Sequence, residues 1–331
     1  MRSQRRLRPE SLALRASLRQ AGWACPAGWP GPSVTTTDRR RPMFQWMKSS
    51  KKTGHNAADA ARQGLVSLMN LTMLVEARDP YTAGHMWRVS RFSRLLAEYG
   101  GLSPRDQALC ELGGFVHDLG KIAIPDSILT GTSRLSDEQF AIMKTHPGVG
   151  AHLTDMQPLG ALVHDAVRSH HERPDGRGYP DGLAGEAIPQ TAAVIGLADA
   201  FDAMTSDRSY RKGMDSQTAL AIVADGQGSQ FDPHWASILL DAVPSREIEH
   251  VIGHSADGIP LEVCPMCHGP LARPTDPAES VPPCRICGAE LDERDGEILP
   301  TGRMATADAL QPRADRALIH VLAERMLPHV H

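Results

Sequence analysis

Gly113-Gly114-Phe115-Val116-His117-Asp118-Leu119-Gly120-Lys121 is the stretch on which the reading of this chain turns. Its apolar flank predicts the C-terminal end of a buried helix, stopped by Gly120 and Pro125. His117 and Asp118 are adjacent, so an imidazole nitrogen and a carboxylate oxygen can reach one cation side by side. Lys121 follows His117 by four residues, which on a helix is the same face. A cationic tip beside a metal suits a phosphate. A His-Asp pair alone is weak evidence, and its weight comes from residues further along.

The chain has 331 residues, of which 41% are hydrophobic, so a globular core and about two domains are expected. A formal net charge of -4 gives no whole-chain case for nucleic acid. Seven of the 15 histidines fall between His85 and His171. No apolar run approaches the roughly 20 residues of a membrane helix. Residues 1–52 differ in kind, with 12 Lys and Arg against two acids, Glu10 and Asp38. The segment 1–56 reads as a disordered basic arm. Such an arm can touch lipid or nucleic acid. The plainer reading, which we favour, is a poorly ordered tail or a start upstream of the true one at Met43 or Met47. No apolar stretch of a secretory signal follows the basic start, so a reducing cytoplasm is expected.

Helical spacing predicts a helix over 57–76, broken by Asp79-Pro80-Tyr81-Thr82. A second helix is opened by His85, which reads either as a metal ligand or as a helix-start histidine on a polar face. Ser103-Pro104 looks like a capped start for the helix that delivers His117 and Asp118. Ile122 to Asp126 reads as a short extended loop. The helix begun at Ser136 runs to His146, just before Pro147. Another helix ends in Ser169-His170-His171-Glu172, where two buried imidazoles must be hydrogen-bonded or bound to metal. The loop Arg173-Pro174-Asp175-Gly176-Arg177-Gly178-Tyr179-Pro180-Asp181-Gly182 is rigid and tightly turning. Its position against the two histidines suggests a wall of a site rather than an ordinary surface turn. The helix 192–204 carries Asp199 and Asp202 three apart, on one face. Arg208 and Arg211 can fork onto phosphate oxygens or belong to a solvated turn. Helices are expected again over 217–224 and 233–240.

His85, the His117-to-Lys121 stretch, His146, His170-His171-Glu172, Asp175-Gly176-Arg177-Gly178-Tyr179-Pro180 and Asp199 through Arg211 stand in the order and spacing of the HD-GYP domain. The resemblance covers roughly residues 64–245, and it implies membership of the HD metal-dependent phosphohydrolase superfamily. It implies an all-α helical bundle that hydrolyses cyclic di-GMP to the linear dinucleotide pGpG, to GMP or to both. It also implies two or three divalent ions, usually iron or manganese. On that resemblance His117, Asp118, His146, His170, His171 and Asp199 are the metal ligands, with Asp118 bridging, and His85 completes the set where a third ion is held. Glu76 and Asp79 are candidates for a further acidic ligand. Lys121, Arg208 and Arg211 would bind phosphate, and Tyr179 keeps the GYP loop intact. Mixed His and carboxylate ligands independently suit iron, manganese or zinc, and paired ions lower the pKa of a water that can attack phosphorus. The rival readings are a phosphohydrolase for another nucleotide, a non-catalytic cyclic di-GMP receptor and an interaction module that recruits a partner.

The domain is expected to span 57–245. Beyond it, Cys264-Pro265-Met266-Cys267 and Cys284-Arg285-Ile286-Cys287 have the spacing of a structural zinc site with four thiolates. The segment 246–298 resembles a zinc ribbon of short β-strands. It is too small to fold unaided, so zinc would supply the folding energy. A disulfide pair is the alternative. His268 is not expected to be a ligand, since four thiolates close the shell. Zinc ribbons bind protein or nucleic acid as readily as they brace a fold, and a protein partner is left open. The remainder, 299–331, carries one more helix, expected over 305–327, which either covers the ribbon or pairs with another chain.

Overall fold

The computed structural model describes residues 55–131, 133–207 and 211–330. The expectations for residues 1–54, Arg208 and His331 lie outside the described residues. Among the described residues no helix is long and apolar enough to cross a membrane.

The expected all-α bundle is present. Its main helices, leaving aside the single turn Asp126–Leu129, are α1 (His55–Glu76), α2 (His85–Tyr99), α3 (Pro104–Val116), α4 (Asp137–Met143), α5 (His146–Asp155), α6 (His164–Ser169), α7 (Gln190–Thr205), α8 (Ser216–Asp225), α9 (Pro233–Ser237), α10 (Ser245–Val251) and α11 (Arg316–Val330). Local chemistry sets the starts. The Ser103 side chain accepts from the Asp106 amide ahead of Pro104, which satisfies one of the orphan donors of a helix N-terminus. Ser136 and Gln139 form a reciprocal capping box at the head of α4. Leu65, Leu68 and Met69 of α1 meet Phe92 and Leu96 of α2, Phe115 of α3 and Phe201 of α7 in one core. Phe92 and Phe201 pack edge to face at 5.2 Å.

The structure corrects several boundaries. The helix carrying the His-Asp pair ends at Val116, and Leu119–Ala123 forms a tighter 3-10 turn. Lys121 therefore lies off the α3 helix and on that turn, which replaces the expected extended loop. Gly120 is what permits the turn. A Cβ there would collide with the backbone carbonyl of His146 at the start of α5. His146 opens α5 instead of closing α4, because Pro147 is tolerated in a first turn.

The bundle also continues past residue 245. Ile248 and Val251 of α10 and Ala256 of the short hairpin β1 (His254–Ala256) and β2 (Ile259–Pro260) belong to the main core. The terminal helix begins at Arg316, eleven residues later than 305, and buries Leu318, Ile319, Leu322 and Met326 in that same core. It packs on α1 and α3, where Glu324 pairs with Arg62 and Arg325 with Glu111. It is thus an outer helix of the bundle, not a cover for the ribbon. Between these returns lie two antiparallel hairpins, β3 (Glu262–Val263) with β4 (Pro270–Leu271) and β5 (Ala289–Arg294) with β6 (Glu297–Met304). They share a small separate core of Leu271, Ala289 and Leu291 around Cys264 and Cys284.

Candidate metal centre

Four helix ends and one helix interior converge on Asp118. His85 heads α2, His117 and Asp118 follow α3, His146 heads α5, His170 and His171 follow α6, and Asp199 projects from α7. The two Asp118 oxygens face different imidazoles. Oδ1 lies 3.2 Å from His146 Nε2, while Oδ2 lies 3.3 Å from His117 Nε2 and 3.6 Å from His85 Nε2. Asp199 Oδ1 is 3.4 Å from His85 Nε2 and 3.7 Å from His117 Nε2. His146 Nε2 approaches His170 Nε2 at 3.3 Å, and His171 packs on both rings. Three groups have ligand atoms close enough to share a cation: His85, His117 and Asp199; His117, Asp118 and His170; His146, His170 and His171. All the expected histidines and both expected acids thus come together.

Backbone contacts orient three of the rings. His117, His146 and His170 each direct Nδ1 at the carbonyl three residues earlier, on Gly114, Met143 and Val167, at 2.7–2.8 Å. An Nδ1–H donated there leaves Nε2 with its lone pair turned inward. Burial holds His170 and His171 neutral, well below the ordinary imidazole value, helped by neighbouring imidazoles. Burial also opposes ionisation of Asp118, yet Lys121 and His117 keep its carboxyl well below the usual carboxylate range. The Nε2 of His117 is buried without a hydrogen-bond partner. An orphaned imidazole nitrogen beside ionised carboxylates is costly unless a cation occupies the gap. The residues therefore fit divalent metal.

Sequence reasoning missed the layer behind this cluster. Asp202 is fully buried, receives Arg88 Nε at 2.5 Å and lies 2.7 Å from His85 Nδ1. The signal was present as two three-residue spacings, His85 with Arg88 on α2 and Asp199 with Asp202 on α7. Burial opposes the Asp202 charge, but Arg88 and then His85 drive its pKa far down. For His85, burial again opposes charge, and hydrogen bonds to Asp118 and Asp202 raise its pKa to about 9. Asp202→Asn would leave the Arg88 guanidinium buried and uncompensated. A loss of about 3–5 kcal/mol is expected, read as a lowered urea midpoint of metal-free protein at pH 7. Because the folded pKa is depressed, this contribution is present above the ordinary carboxylate value near 3.9. It is lost as pH falls through the folded value, so the gap between variant and parent closes only in strong acid.

The remaining expected residues divide. Lys121 Nζ lies 2.5 Å from Asp118 Oδ2 and lines an adjacent cleft of about 750 Å³ with His85, Glu76, Asp79 and Tyr81. Glu76 accepts the Met86 amide at 3.0 Å and Asp79 the Tyr81 amide at 3.1 Å. Both shape the cleft, and neither joins a ligand cluster among the described residues. Tyr179 stacks at 4.8 Å on His171, held by its loop. Glu172 Oε1 accepts the amides of Asp181 and Gly182 at 2.7 and 3.0 Å, and a Cβ on Gly178 would strike the backbone of Glu172. Arg211 is placed otherwise than expected. Its guanidinium donates to the carbonyls of Ala203, Met204 and Lys212, closing the C-terminal end of α7 where orphan carbonyls need donors.

The four tail cysteines are free thiols, not disulfides, and their sulfurs lie within 4.8 Å of one another. Across the two loops Cys264 and Cys287 are 3.8 Å apart, and Cys267 and Cys284 3.6 Å. The loops are alike. His268 and Gly288 take left-handed backbone at φ 60° and 76°, and their amides return to the Cys264 and Cys284 carbonyls at 2.9 and 2.8 Å. Burial pushes the Cys284 thiol up to about 12, a proton that a bound cation would displace. His268 is not in the cluster.

A bundle that gathers imidazoles and carboxylates at its helix ends has the donor set of a divalent-metal protein. The family model described as HD domain matches residues 70–235, and the chain belongs to that family. It is 41% identical over 192 residues to the cyclic di-GMP phosphodiesterase response regulator RpfG of Xanthomonas campestris pv. campestris, covering 56% of this chain and 50% of that protein. It is 38% identical over 184 residues to a cyclic di-GMP phosphodiesterase of Vibrio cholerae, covering 51% and 37%. It is 33% identical over 174 residues to the 3'3'-cGAMP-specific phosphodiesterase 2 of the same organism, covering 52% and 33%. The chain spans half or less of the length of these relatives.

Proposed function

We propose that this HD domain is a metal-dependent phosphodiesterase that hydrolyses cyclic di-GMP to pGpG, to GMP or to both, holding two or three iron or manganese ions. The observation that carries the reading is the divided aim of Asp118. Its oxygens face separate imidazole groups, an arrangement that would let Asp118 help hold more than one divalent ion, and a cationic Lys121 and an open cleft lie alongside. Two of the relatives carry cyclic di-GMP phosphodiesterase in their names.

His117, Asp118, His146, His170, His171 and Asp199 would hold the metals, with His85 completing the set. Bound divalent ions supply Lewis acidity and a water of lowered pKa. The chain does the rest. Lys121 offsets charge on the non-bridging oxygens as a ribose oxygen leaves. The imidazoles of His117, His146 and His170, with Nδ1–H tied to carbonyls, hold their aim. Tyr179 and the loop locked by Glu172 border the far side. Arg211, spent on the end of α7, is left out of the phosphate site, and the expectation for Arg208 stands as a proposal only. We further propose that residues 262–304 form a ribbon closed by one structural zinc on Cys264, Cys267, Cys284 and Cys287. The free, converging thiols and the paired loop geometry support this.

The test is metal analysis of anaerobically purified protein, joined to product identification on cyclic di-GMP, 3'3'-cGAMP and a generic phosphodiester. Release of pGpG or GMP is expected from the iron- or manganese-loaded form. Binding without turnover would make the domain a receptor, and turnover of cGAMP alone would reassign the substrate.

A further inference from the structure

A run of contacts through Arg285 and Arg78 leads from the thiol cluster to the turn beside the metal centre. Arg285 lies between Cys284 and Cys287. Its Nη1 donates to the carbonyl of Ala77, and its Nε donates to that of Leu310 at 3.2 Å. Ala77 directly follows α1, where carbonyls have no partner within the helix and a cation is favoured. The next residue, Arg78, is a clamp. Its Nη1 donates to Lys121 O at 3.0 Å and Ile122 O at 2.9 Å, and its Nη2 to Ile124 O at 2.8 Å and Asp126 Oδ1 at 2.6 Å. Those acceptors frame the 3-10 turn that presents Lys121 to Asp118. Two residues after Ala77, Asp79 caps the turn Pro80–Thr82, which lines the same cleft.

We propose that Arg285 is a positioning residue for the phosphate-binding edge of the cleft. A folded thiol loop fixes Arg285, Arg285 fixes the end of α1, and the Arg78 clamp carries that order to Lys121. The ribbon is then a brace for the site. The kinetic part of this inference rests on the phosphodiesterase reading, whereas the structural part does not.

The experiment uses the full chain with both metal sites loaded, comparing the parent with Arg285→Ala and Arg285→Lys. Amide exchange over 119–126 is read by mass spectrometry without substrate, alongside metal content, KM and kcat for cyclic di-GMP. In Arg285→Ala, exchange over 119–126 is expected to rise about tenfold, the scale of one charge-assisted hydrogen bond. KM should rise about fivefold with kcat held within about twofold, since placement of a binding cation is disturbed while the metal ligands are not. Metal content should stay at the parent level. Arg285→Lys should recover part of the protection, because one ammonium reaches a single carbonyl. Stripping zinc from the parent should raise exchange over the same residues. Parent-like exchange over 119–126 in Arg285→Ala overturns the proposal, whatever KM does. If that variant does not fold, Arg285→Gln takes its place under the same thresholds. If the parent turns over no cyclic di-GMP, the function reading fails, and the exchange result still decides the role of Arg285.

Discussion

Asp118→Ala protein is expected to lose bound HD-site metal and phosphodiester turnover together while keeping its fold. The carboxylate reaches two imidazole groups with separate oxygens, so under the proposed site its removal would take a shared ligand from the metal-holding set. A loss of at least about 10³-fold in turnover is expected, more than removal of a single stabilising donor. Stability of the metal-free protein should change little by comparison. The cation left behind, Lys121, is 24% exposed and can be solvated, unlike the Arg88 that Asp202 neutralises. The two measurements are metal content after desalting and turnover at saturating substrate, with circular dichroism as control. A variant with full metal content and parental turnover would remove Asp118 from the site.

Cys284→Ser is expected to release one equivalent of zinc and unfold residues 262–304, leaving the bundle intact. Besides the thiols, the small core of this segment buries little more than Leu271, Ala289 and Leu291, too few apolar groups to offset chain entropy. Metal ligation, with an apparent free energy of about 10–16 kcal/mol in zinc-finger peptides, would be the dominant favourable contribution. New protease cleavage confined to 262–304 is the expected signature. The bundle should survive because α11 closes onto α1 and α3 independently of the ribbon. A parent without zinc, or a variant as protease-resistant as the parent, would make the thiols bystanders. The same packing argues against testing the ribbon by deleting 260–331. That cut would also remove Leu318, Ile319, Leu322 and Met326 from the main core.

Helical periodicity made the bundle legible, and Ser103 and Ser136 marked starts that the structure keeps. The His and Asp cluster was legible as a set through the resemblance to the HD-GYP domain, while the cost of burial by itself singled out only the His170-His171 pair and the acidic residues of the 192–204 helix. Other features depended on tertiary contacts that no local pattern encodes. Whether Arg211 meets phosphate or helix carbonyls is decided by where the chain turns after α7. Asp202 and Arg88 were visible as spacings but silent as partners, since they lie 114 residues apart. The terminal helix showed its apolar face clearly, and its partner surface could not be read because α1 and α3 lie far away in sequence.

The tethering of three imidazoles to the carbonyls one turn behind them has a consequence for metal choice. Lone pairs aimed in advance spare the incoming ion most of the reorganisation that a floppy donor set would impose. Rings so restrained also have little latitude to adapt to one ion's preferred geometry over another's. Intrinsic affinity in such a site follows the general order for nitrogen and oxygen donors. The ion carried would then reflect which one the surroundings offer while the chain matures.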